Sequence, residues 1–420
     1  MERPIVIEDR EELIYMLCEA SELEHMIMCE YLFAAFSLKH DESEGLTAAQ
    51  VEAVRRWERI ISGVATQEML HLALASNLLT AIGASPHLSR PNLPQQARYY
   101  PPGVQLALLP FGERALQHFI YLERPEGMTL ADAPGFELTS AAVPVMDGDQ
   151  IVPQGQDFAT VGHLYRGIEQ GFRHLVARYG ERRIFIGPPR AQATQQYFRW
   201  PELVPVTDLA SAVTAIETIV EQGEGARGDW KDAHYGKFLG ILDEYRALKQ
   251  QDPGFAPARP ALAAYVRPPC DVSEVTLITD PVAAHVADLF NAGYEVLLQL
   301  LGRFFAHMEE TEAELQTLST TAIMLMVMVL KPLGRLLTTL PVGPHVANMT
   351  AGPSFEVYRT GYLLPHRDAA WRLLQERLHE LATYCVHVAT RSSLQQELTR
   401  VEGTLQRLAA ALGQHVGVAG

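Results

Sequence analysis

Two long stretches near the start of the chain repeat apolar residues at steps of three and four. The first runs from Glu11 to Leu38 and the second from about Ala48 to Ile82. This spacing is typical of helices with one buried face. Thr47 is a predicted N-cap, with Gln50 at the third helical position of a capping box. The chain is therefore predicted to begin with two long helices, the second ending before Gly83.

A proline-rich excursion follows over residues 84–159. Its prolines are too frequent for a long helix. We expect an irregular segment with one short helix, GERALQHFIYLE. An excursion of this length is more than a linker needs, so we expect it to pack over one end of the neighbouring helices as a lid or wall.

The next helical patterns complete a bundle. A third helix is predicted over Thr160–Gly180, with Thr160 as its N-cap and Gly180 at its end. A fourth begins near Asp208, breaks at a glycine-rich interruption and resumes in KDAHYGKFLGILDEYRALKQ. Two helix pairs separated by a long crossover outline a four-helix bundle. We therefore predict an all-α, four-helix bundle as a domain over residues 1–255.

A second helical region is predicted over residues 256–420. A proline-rich seam at 252–260 precedes it, and three helical stretches follow at roughly 280–308, 311–340 and 365–414. We expect this region to pack on the bundle. Its methionine run, Met324, Met326 and Met328, is interpreted as adaptable core packing.

Composition narrows the range of partners. Acidic residues outnumber basic ones by 50 to 34, which argues against nucleic acid. The longest apolar run, Ala322–Leu330, stops at Lys331-Pro332 and falls short of the roughly 20 residues that span a bilayer. The first residues lack a signal-peptide pattern. We expect a cytoplasmic protein that acts on a small molecule and binds neither nucleic acid nor membrane, with a homo-oligomer as an open alternative.

An ExxH motif places a carboxylate and an imidazole on one face of the second helix. Glu68 and His71 are three residues apart, so both side chains reach a common point. A single ExxH on an arbitrary helix is more often a surface acid beside a core histidine. The metal-site interpretation therefore depends on ligands from other helices.

The first helix offers such a ligand. Glu24 falls on its apolar stripe, where a carboxylate is costly unless a cation compensates it. Tyr31 lies on the same face, either as a catalytic hydrogen-bonding group or redox relay, or as an ordinary core tyrosine. Glu22 and Glu30 point elsewhere, and we expect them to be solvated or to contact the ligands indirectly.

The third and fourth helices supply the remaining candidates. Glu169 lies between the apolar Ile168 and Phe172. The fourth helix offers Glu221 or Glu224, followed by His234 beyond the glycine-rich break. Glu123 in LERPEG is either an acid facing the bundle or a partner of Arg124. The predicted metal ligands are Glu24, Glu68, His71, Glu169, Glu221 or Glu224, and His234.

Four carboxylates and two imidazoles from four helices match the ligand set of di-iron or di-manganese carboxylate proteins. Such a set predicts a non-haem centre of two iron ions, or alternatively manganese, with dioxygen as co-substrate. The favoured function is an oxidoreductase that acts on a small organic molecule. The alternatives are peroxide chemistry like that of manganese catalase and a non-catalytic, iron-handling protein.

Several motifs together resemble the ferritin-like family that includes the iminophenyl-pyruvate dimer synthase domain. They are ASELEHMIMCEYLFAAFSL, QEMLHLALASNLLTAIGASPHL, LERPEG, VEQGEG, DAHYGKF, LFNAGYEVLLQLL and MLMVMVLKPLGRLLTTLP. The family occurs in chromopyrrolate-forming enzymes of bisindole pigment pathways. The resemblance implies a metal-bearing bundle used in specialised biosynthesis, with an amino-acid-derived or imine-like substrate.

Overall fold

The computed structural model describes residues 4–94, 104–136, 156–225, 229–268, 275–307, 309–358 and 364–416. Several prolines of the excursion, among them Pro101, Pro102, Pro144 and Pro153, lie outside this part of the chain. The described residues are mostly helical, which confirms the all-α prediction.

The first two helices are long and capped as the sequence predicts. Helix α1 spans Arg10–Ser37 and α2 spans Ala48–Ala81. The side chain of Thr47 accepts a hydrogen bond from the backbone N–H of Gln50, while Oε1 of Gln50 accepts from the backbone N–H of Thr47. This capping box satisfies donors that the first helical turn leaves without intrahelical partners. The predicted start of α2 is therefore confirmed.

The remaining helices of the N-terminal part are shorter. They are α3 (Glu113–Leu122), α4 (Val161–Tyr179), α5 (Glu181–Ile184), α6 (Gln195–Phe198), α7 (Leu209–Gly223) and α8 (His234–Gln251). Short 3₁₀ turns lie at Glu42–Glu44 and Pro189–Ala191. Thr160 caps α4 and Gly180 ends it with a positive φ, as predicted.

The predicted fourth helix is divided into α7 and α8, which pack at different places. Helix α7 packs against α4 and α2, whereas α8 packs mainly against α3. Gly225 lies in the break with φ +86°, and a Cβ there would meet the backbone oxygen of Asp229 at 2.8 Å. The glycine therefore permits a turn that a larger residue would obstruct. A helix from the excursion thus joins the bundle as the neighbour of α8.

A set of buried polar side chains connects the excursion to α1. Nδ1 of His118 in α3 lies 2.8 Å from Oδ1 of Asp132, and Nε2 lies 3.5 Å from Oε2 of Glu30. Of the two alternatives expected for Glu30, exposure to solvent is wrong, because its side chain is fully buried here. The imidazole compensates a carboxylate that burial would otherwise disfavour.

The C-terminal part adds further helices and a small parallel sheet. The helices are α9 (Pro281–Phe305), α10 (Glu312–Leu325), α11 (Lys331–Leu337), α12 (Arg367–Ala389) and α13 (Gln395–Gly413). Strands β1 (Ala261–Tyr265), β2 (Thr276–Leu277) and β3 (Thr350–Gly352) form a sheet in the order β2-β1-β3. Helix α11 contacts α1, so this region meets the bundle along its first helix.

The apolar run of residues 322–330 continues instead of ending at Lys331-Pro332. A π-helical turn, Met326–Leu330, carries α10 directly into α11. Among the described residues, Glu312–Leu337 is the one run long and apolar enough to cross a membrane, and 44% of its most apolar window is buried. Met324 and Met328 are exposed, so the prediction that they form core packing is wrong.

Candidate metal centre

Three buried side chains from α1 and α2 converge inside the bundle. Nδ1 of His71 lies 2.9 Å from Oε2 of Glu68 and 3.6 Å from Oε2 of Glu24. All three are almost completely buried. The ExxH spacing places Glu68 and His71 on one helix face, and α1 packs alongside to present Glu24 opposite them.

Glu123 and His234 form a second group around the same central carboxylate. Glu123 is the residue that follows α3, and His234 is the first residue of α8. Nδ1 of His234 lies 2.8 Å from Oε1 of Glu68 and 3.4 Å from Oε1 of Glu123. The packing of α3 against α8 brings these two helix ends together.

Glu68 therefore belongs to both groups, with one oxygen toward each imidazole. The ligand atoms within each group lie within 4.8 Å of one another. The two imidazole rings face each other with centroids 5.5 Å apart. We call the five residues Glu24, Glu68, His71, Glu123 and His234 the carboxylate–imidazole cluster.

Burial and neighbouring charges shift the pKa values within this cluster. Burial raises the pKa of Glu24 above its usual value. Burial alone would lower the pKa of His71, but the carboxylates of Glu68 and Glu24 raise it well above the usual value. Burial would likewise raise the pKa of Glu68, but the imidazoles of His234 and His71 lower it. Without a metal, the positive charges of protonated imidazoles balance the negative charges of the carboxylates.

The donor set fits a pair of metal ions. Oε1 of Glu24 is buried without a hydrogen-bond partner, and Nδ1 of His234, although it lies close to two carboxylates, makes no hydrogen bond. Buried polar atoms of this kind are normally satisfied, and a coordinated cation would satisfy both. Carboxylate oxygens and imidazole nitrogens suit iron, manganese and zinc.

Further polar side chains surround the cluster. The hydroxyl of Tyr31 donates a hydrogen bond to Oε1 of Glu123. Oε1 of Gln222 lies 3.0 Å from Nε2 of His71. The hydroxyl of Tyr165, on α4, lies near Glu24, and burial together with that carboxylate raises the pKa of Tyr165 well above its usual value. Each of these groups contacts a cluster residue.

Glu169 does not join the cluster. Its carboxylate pairs with Arg173 at 2.8 Å and with Arg166 at 3.2 Å, both on its own helix. It lies at the edge of the buried face of α4, where half-exposed arginine side chains reach it from solvent. Its apolar neighbours in the sequence, Ile168 and Phe172, occupy the buried face instead.

Glu221 and Glu224 also lie outside the cluster. Glu221 is exposed. The carboxylate of Glu224 accepts hydrogen bonds from the backbone N–H groups of Gly162 at 2.8 Å and Glu126 at 2.9 Å. It thus joins the end of α7 to the start of α4. The fourth helix supplies the cluster with His234 alone among the predicted ligands.

Glu123 is the cluster residue that the sequence left undecided. It follows the buried Phe119 and Ile120 at the spacing of one helical turn, which was the available signal. Arg124 is not its partner, because the guanidinium group donates to the backbone carbonyls of Tyr121 and Ala159. Glu123 therefore takes the place in the cluster that Glu169 was expected to fill.

A surface cleft of about 1050 Å³ lies beside the cluster, across the last turn of α7. Its lining includes Arg166, Glu221, Glu224 and Trp230. The intervening residues of α7 face the cluster instead, because Gln222 contacts His71 and a Cβ on Gly223 would lie 3.2 Å from Oε2 of Glu123. A single helical turn therefore separates the cleft from the buried carboxylates.

Comparison with known families identifies the bundle. Residues 17–243 match the model of the ferritin-like family, and this range contains the whole cluster. The chain belongs to the ferritin-like family. The all-α bundle and the family resemblance predicted from the sequence are both confirmed.

Two relatives of this ferritin-like chain are named as enzymes. Dichlorochromopyrrolate synthase of Lentzea aerocolonigenes is 28% identical, covering 90% of this chain and 39% of its own length. 2-Imino-3-(indol-3-yl)propanoate dimerase of Chromobacterium violaceum is 28% identical, covering 83% of this chain and 34% of its own. The chain thus spans less than two fifths of these relatives. They confirm the resemblance to the iminophenyl-pyruvate dimer synthase type.

One solved structure is also similar to this chain. The crystal structure of a ferritin-like protein from Caulobacter vibrioides matches with a TM-score of 0.47 and 20% sequence identity, covering 74% of this chain and 96% of that chain.

Proposed function

We propose that this chain is a non-haem oxidoreductase whose centre holds two iron ions, or alternatively manganese, and uses dioxygen as co-substrate. The observation that supports the proposal is the position of Glu68, with one carboxylate oxygen beside each of two imidazoles. In this assignment Glu68 would be a ligand shared by the two ions. Glu24 and His71 complete one site, and Glu123 and His234 complete the other.

Bound in such a site, the ions supply the redox chemistry that dioxygen reduction requires. Neighbouring residues of the chain hold the metal-binding side chains in place. Because Nδ1 of His71 faces the carboxylates, its Nε2–H donates to Gln222 and holds the ring in one orientation and tautomer. Tyr31 similarly restrains Glu123. The apolar side chains around the cluster exclude water and strengthen its electrostatic interactions.

We propose an amino-acid-derived or imine-like metabolite as the substrate. One relative is named for dichlorochromopyrrolate and the other for the imino acid 2-imino-3-(indol-3-yl)propanoate. The cleft beside the cluster has groups that complement a carboxylate and an aromatic ring. Arg166 offers a cation for a carboxylate, and Trp230 offers an aromatic surface. Residues 125–129 of the excursion form one wall of this cleft.

Metal analysis followed by oxygen uptake tests this function. Protein purified from iron-supplemented cells is expected to carry about two ions per chain and to consume dioxygen after anaerobic reduction. Replacing Glu68→Ala should reduce the metal content to less than about one ion per chain while helicity, measured by circular dichroism, stays nearly unchanged. Equal metal content in the variant and the wild type would refute the role of Glu68 as a shared ligand.

The alternative functions give different results in the same preparation. Bound metal without oxygen uptake, together with large shell-like assemblies in light scattering, would favour iron handling. Rapid decomposition of hydrogen peroxide by manganese-loaded protein, without oxygen consumption, would favour peroxide chemistry.

A further inference from the structure

An apolar cavity lies between α1, α2 and α9, apart from the cleft described above. Its volume is about 60 Å³. An engineered apolar cavity of about 150 Å³ stays dry and binds benzene or xenon, so this smaller space suits a molecule of only a few atoms. The lining is mostly aliphatic and aromatic, and it includes Met28, Leu72, Ala73, Tyr294 and Phe305.

The few polar residues in the lining bond mainly within the protein, and Nδ1 of His25 is the buried atom among them that has no hydrogen-bond partner. Nε2 of His25 and the hydroxyl of Tyr294 lie 2.5 Å apart. The hydroxyl of Ser76 donates to the backbone carbonyl of Leu72 at 2.8 Å. A cation or a charged metabolite would therefore find little in this cavity to replace its hydration shell.

One end of the cavity reaches the surface, whereas the other approaches the cluster. Met69, Trp200, Leu298, Leu301 and Met326 are only partly buried and form its outer part. The inner part includes Met28 and Leu72, which follow Glu24 and Glu68 by four residues. Residues four apart lie on the same helix face, about 6 Å along the axis.

We propose that this cavity takes up dioxygen and brings this small, uncharged, apolar molecule to within one helical turn of the cluster. The inference rests on the proposed function, in which dioxygen is the co-substrate. The two substrates then enter by different routes. The organic substrate enters from the polar cleft beside α7, whereas dioxygen enters between α2 and α9. A polar metabolite then cannot obstruct the path of the gas.

Paramagnetic relaxation by dissolved dioxygen tests the cavity without any metal in the protein. The metal-free chain of 420 residues is labelled with ¹³C at its methionine methyl groups and studied by NMR under dioxygen pressure. The methyl of Met28 should relax several-fold faster with dioxygen than those of Met16 and Met26. All three methionines are buried, but only Met28 lines the cavity.

Two matched variants place tryptophan inside and outside the cavity wall. Met326→Trp introduces an indole at the rim, whereas Val327→Trp adds the same group at an exposed neighbour that does not line the cavity. Met326→Trp should reduce the enhancement at Met28 at least threefold, and Val327→Trp should leave it nearly unchanged. Ala73→Leu, which fills the interior, should act like Met326→Trp, with circular dichroism verifying the fold.

Equal relaxation of Met28, Met16 and Met26 in the wild type would overturn the inference, as would an enhancement that persists in both cavity-blocking variants. Neither result depends on bound iron. Absence of a metal centre would refute the proposed function through metal analysis, while the NMR measurement would still decide whether the cavity holds dioxygen.

Discussion

Tyr31 and Glu123 are 92 positions apart in the sequence, and the phenol of Tyr31 donates a hydrogen bond to Oε1 of Glu123. The contact joins the C-terminal part of α1 to the end of α3, inside a region from which water is excluded. Phe119 packs edge-on against the ring of Tyr31, with centroids 4.7 Å apart. Part of the proline-rich excursion is thereby integrated into the bundle interior.

Replacing Tyr31→Phe should reduce the free energy of unfolding by about 2 kcal/mol, because it removes a hydrogen bond to a buried carboxylate. The metal content should equal that of the wild type, whereas the absorption spectrum of the oxidised protein should change if the proposed centre is present. Urea denaturation and metal analysis measure these effects. The exposed Tyr179→Phe is the control, and an unchanged spectrum and stability in Tyr31→Phe would leave Tyr31 as packing alone.

Paired substitutions can test whether Glu123 or Glu169 is a metal ligand. Glu123→Gln should reduce the bound metal by about one ion per chain, because a neutral amide is a weaker ligand for a dication. Glu169→Gln should leave the metal content unchanged, since its arginine partners lie outside the cluster. Metal analysis of both proteins purified side by side decides the matter. Loss of metal from Glu169→Gln alone would contradict the assignment.

Gln222→Leu should weaken metal binding by about 10- to 100-fold without removing any ligand. The substitution deletes the acceptor that faces Nε2 of His71, so the ring loses the contact that fixes its orientation. Competition with a chelator of known affinity measures the change. The exposed Glu221→Gln, one residue earlier, provides the control, and an equal effect of both substitutions would argue against orientation of His71.

Gly162→Ala should destabilise the fold by about 1–3 kcal/mol, as expected for overpacking. The new Cβ would lie 2.2 Å from Oε1 of Glu224, so the carboxylate would have to leave its two backbone donors. In a Glu224→Ala background the same substitution should cost much less. A double-mutant cycle by urea denaturation measures this coupling, and strictly additive effects would refute it.

Stability should depend on pH through His118. Burial alone would lower its pKa, but Glu30 and Asp132 raise the pKa of His118 to about 9. Because the folded value lies above the unfolded value of about 6.5, the stabilisation is complete below about pH 6.5 and is lost as pH rises through about 9. The free energy of unfolding should fall by at most about 3 kcal/mol across this window.

Urea denaturation at several pH values tests that dependence. His118→Gln should remove most of the decline, and the exposed His379→Gln should retain it. A decline of the same size in His118→Gln would assign the effect to other groups.

Helical periodicity and capping chemistry predicted much of the bundle. The repeat of apolar residues specified α1 and α2, and Thr47 with Gln50 specified where α2 begins. The same periodicity placed Glu24, Glu68 and His71 on inward faces, because residues of one helix keep fixed angular relations. The glycines near residue 225 correctly indicated a break before His234.

The remaining cluster residue depends on tertiary packing. Glu169 has apolar neighbours in the sequence, yet a rotation of α4 that buries Ile168 and Phe172 leaves it beside Arg166 and Arg173. Glu123 reaches the cluster because the short helix before it packs on α8. Periodicity within one helix contains no information about which distant helix becomes its neighbour.

The chain order of the five cluster residues has a consequence for biosynthesis. Glu24, Glu68 and His71 leave the ribosome early, whereas His234 lies far downstream at the first position of α8. A nascent polypeptide that ends before α8 can present the first triad but cannot close the second. Under the proposed assignment, loading of a complete two-ion centre during translation must therefore wait until His234 has been added to the chain.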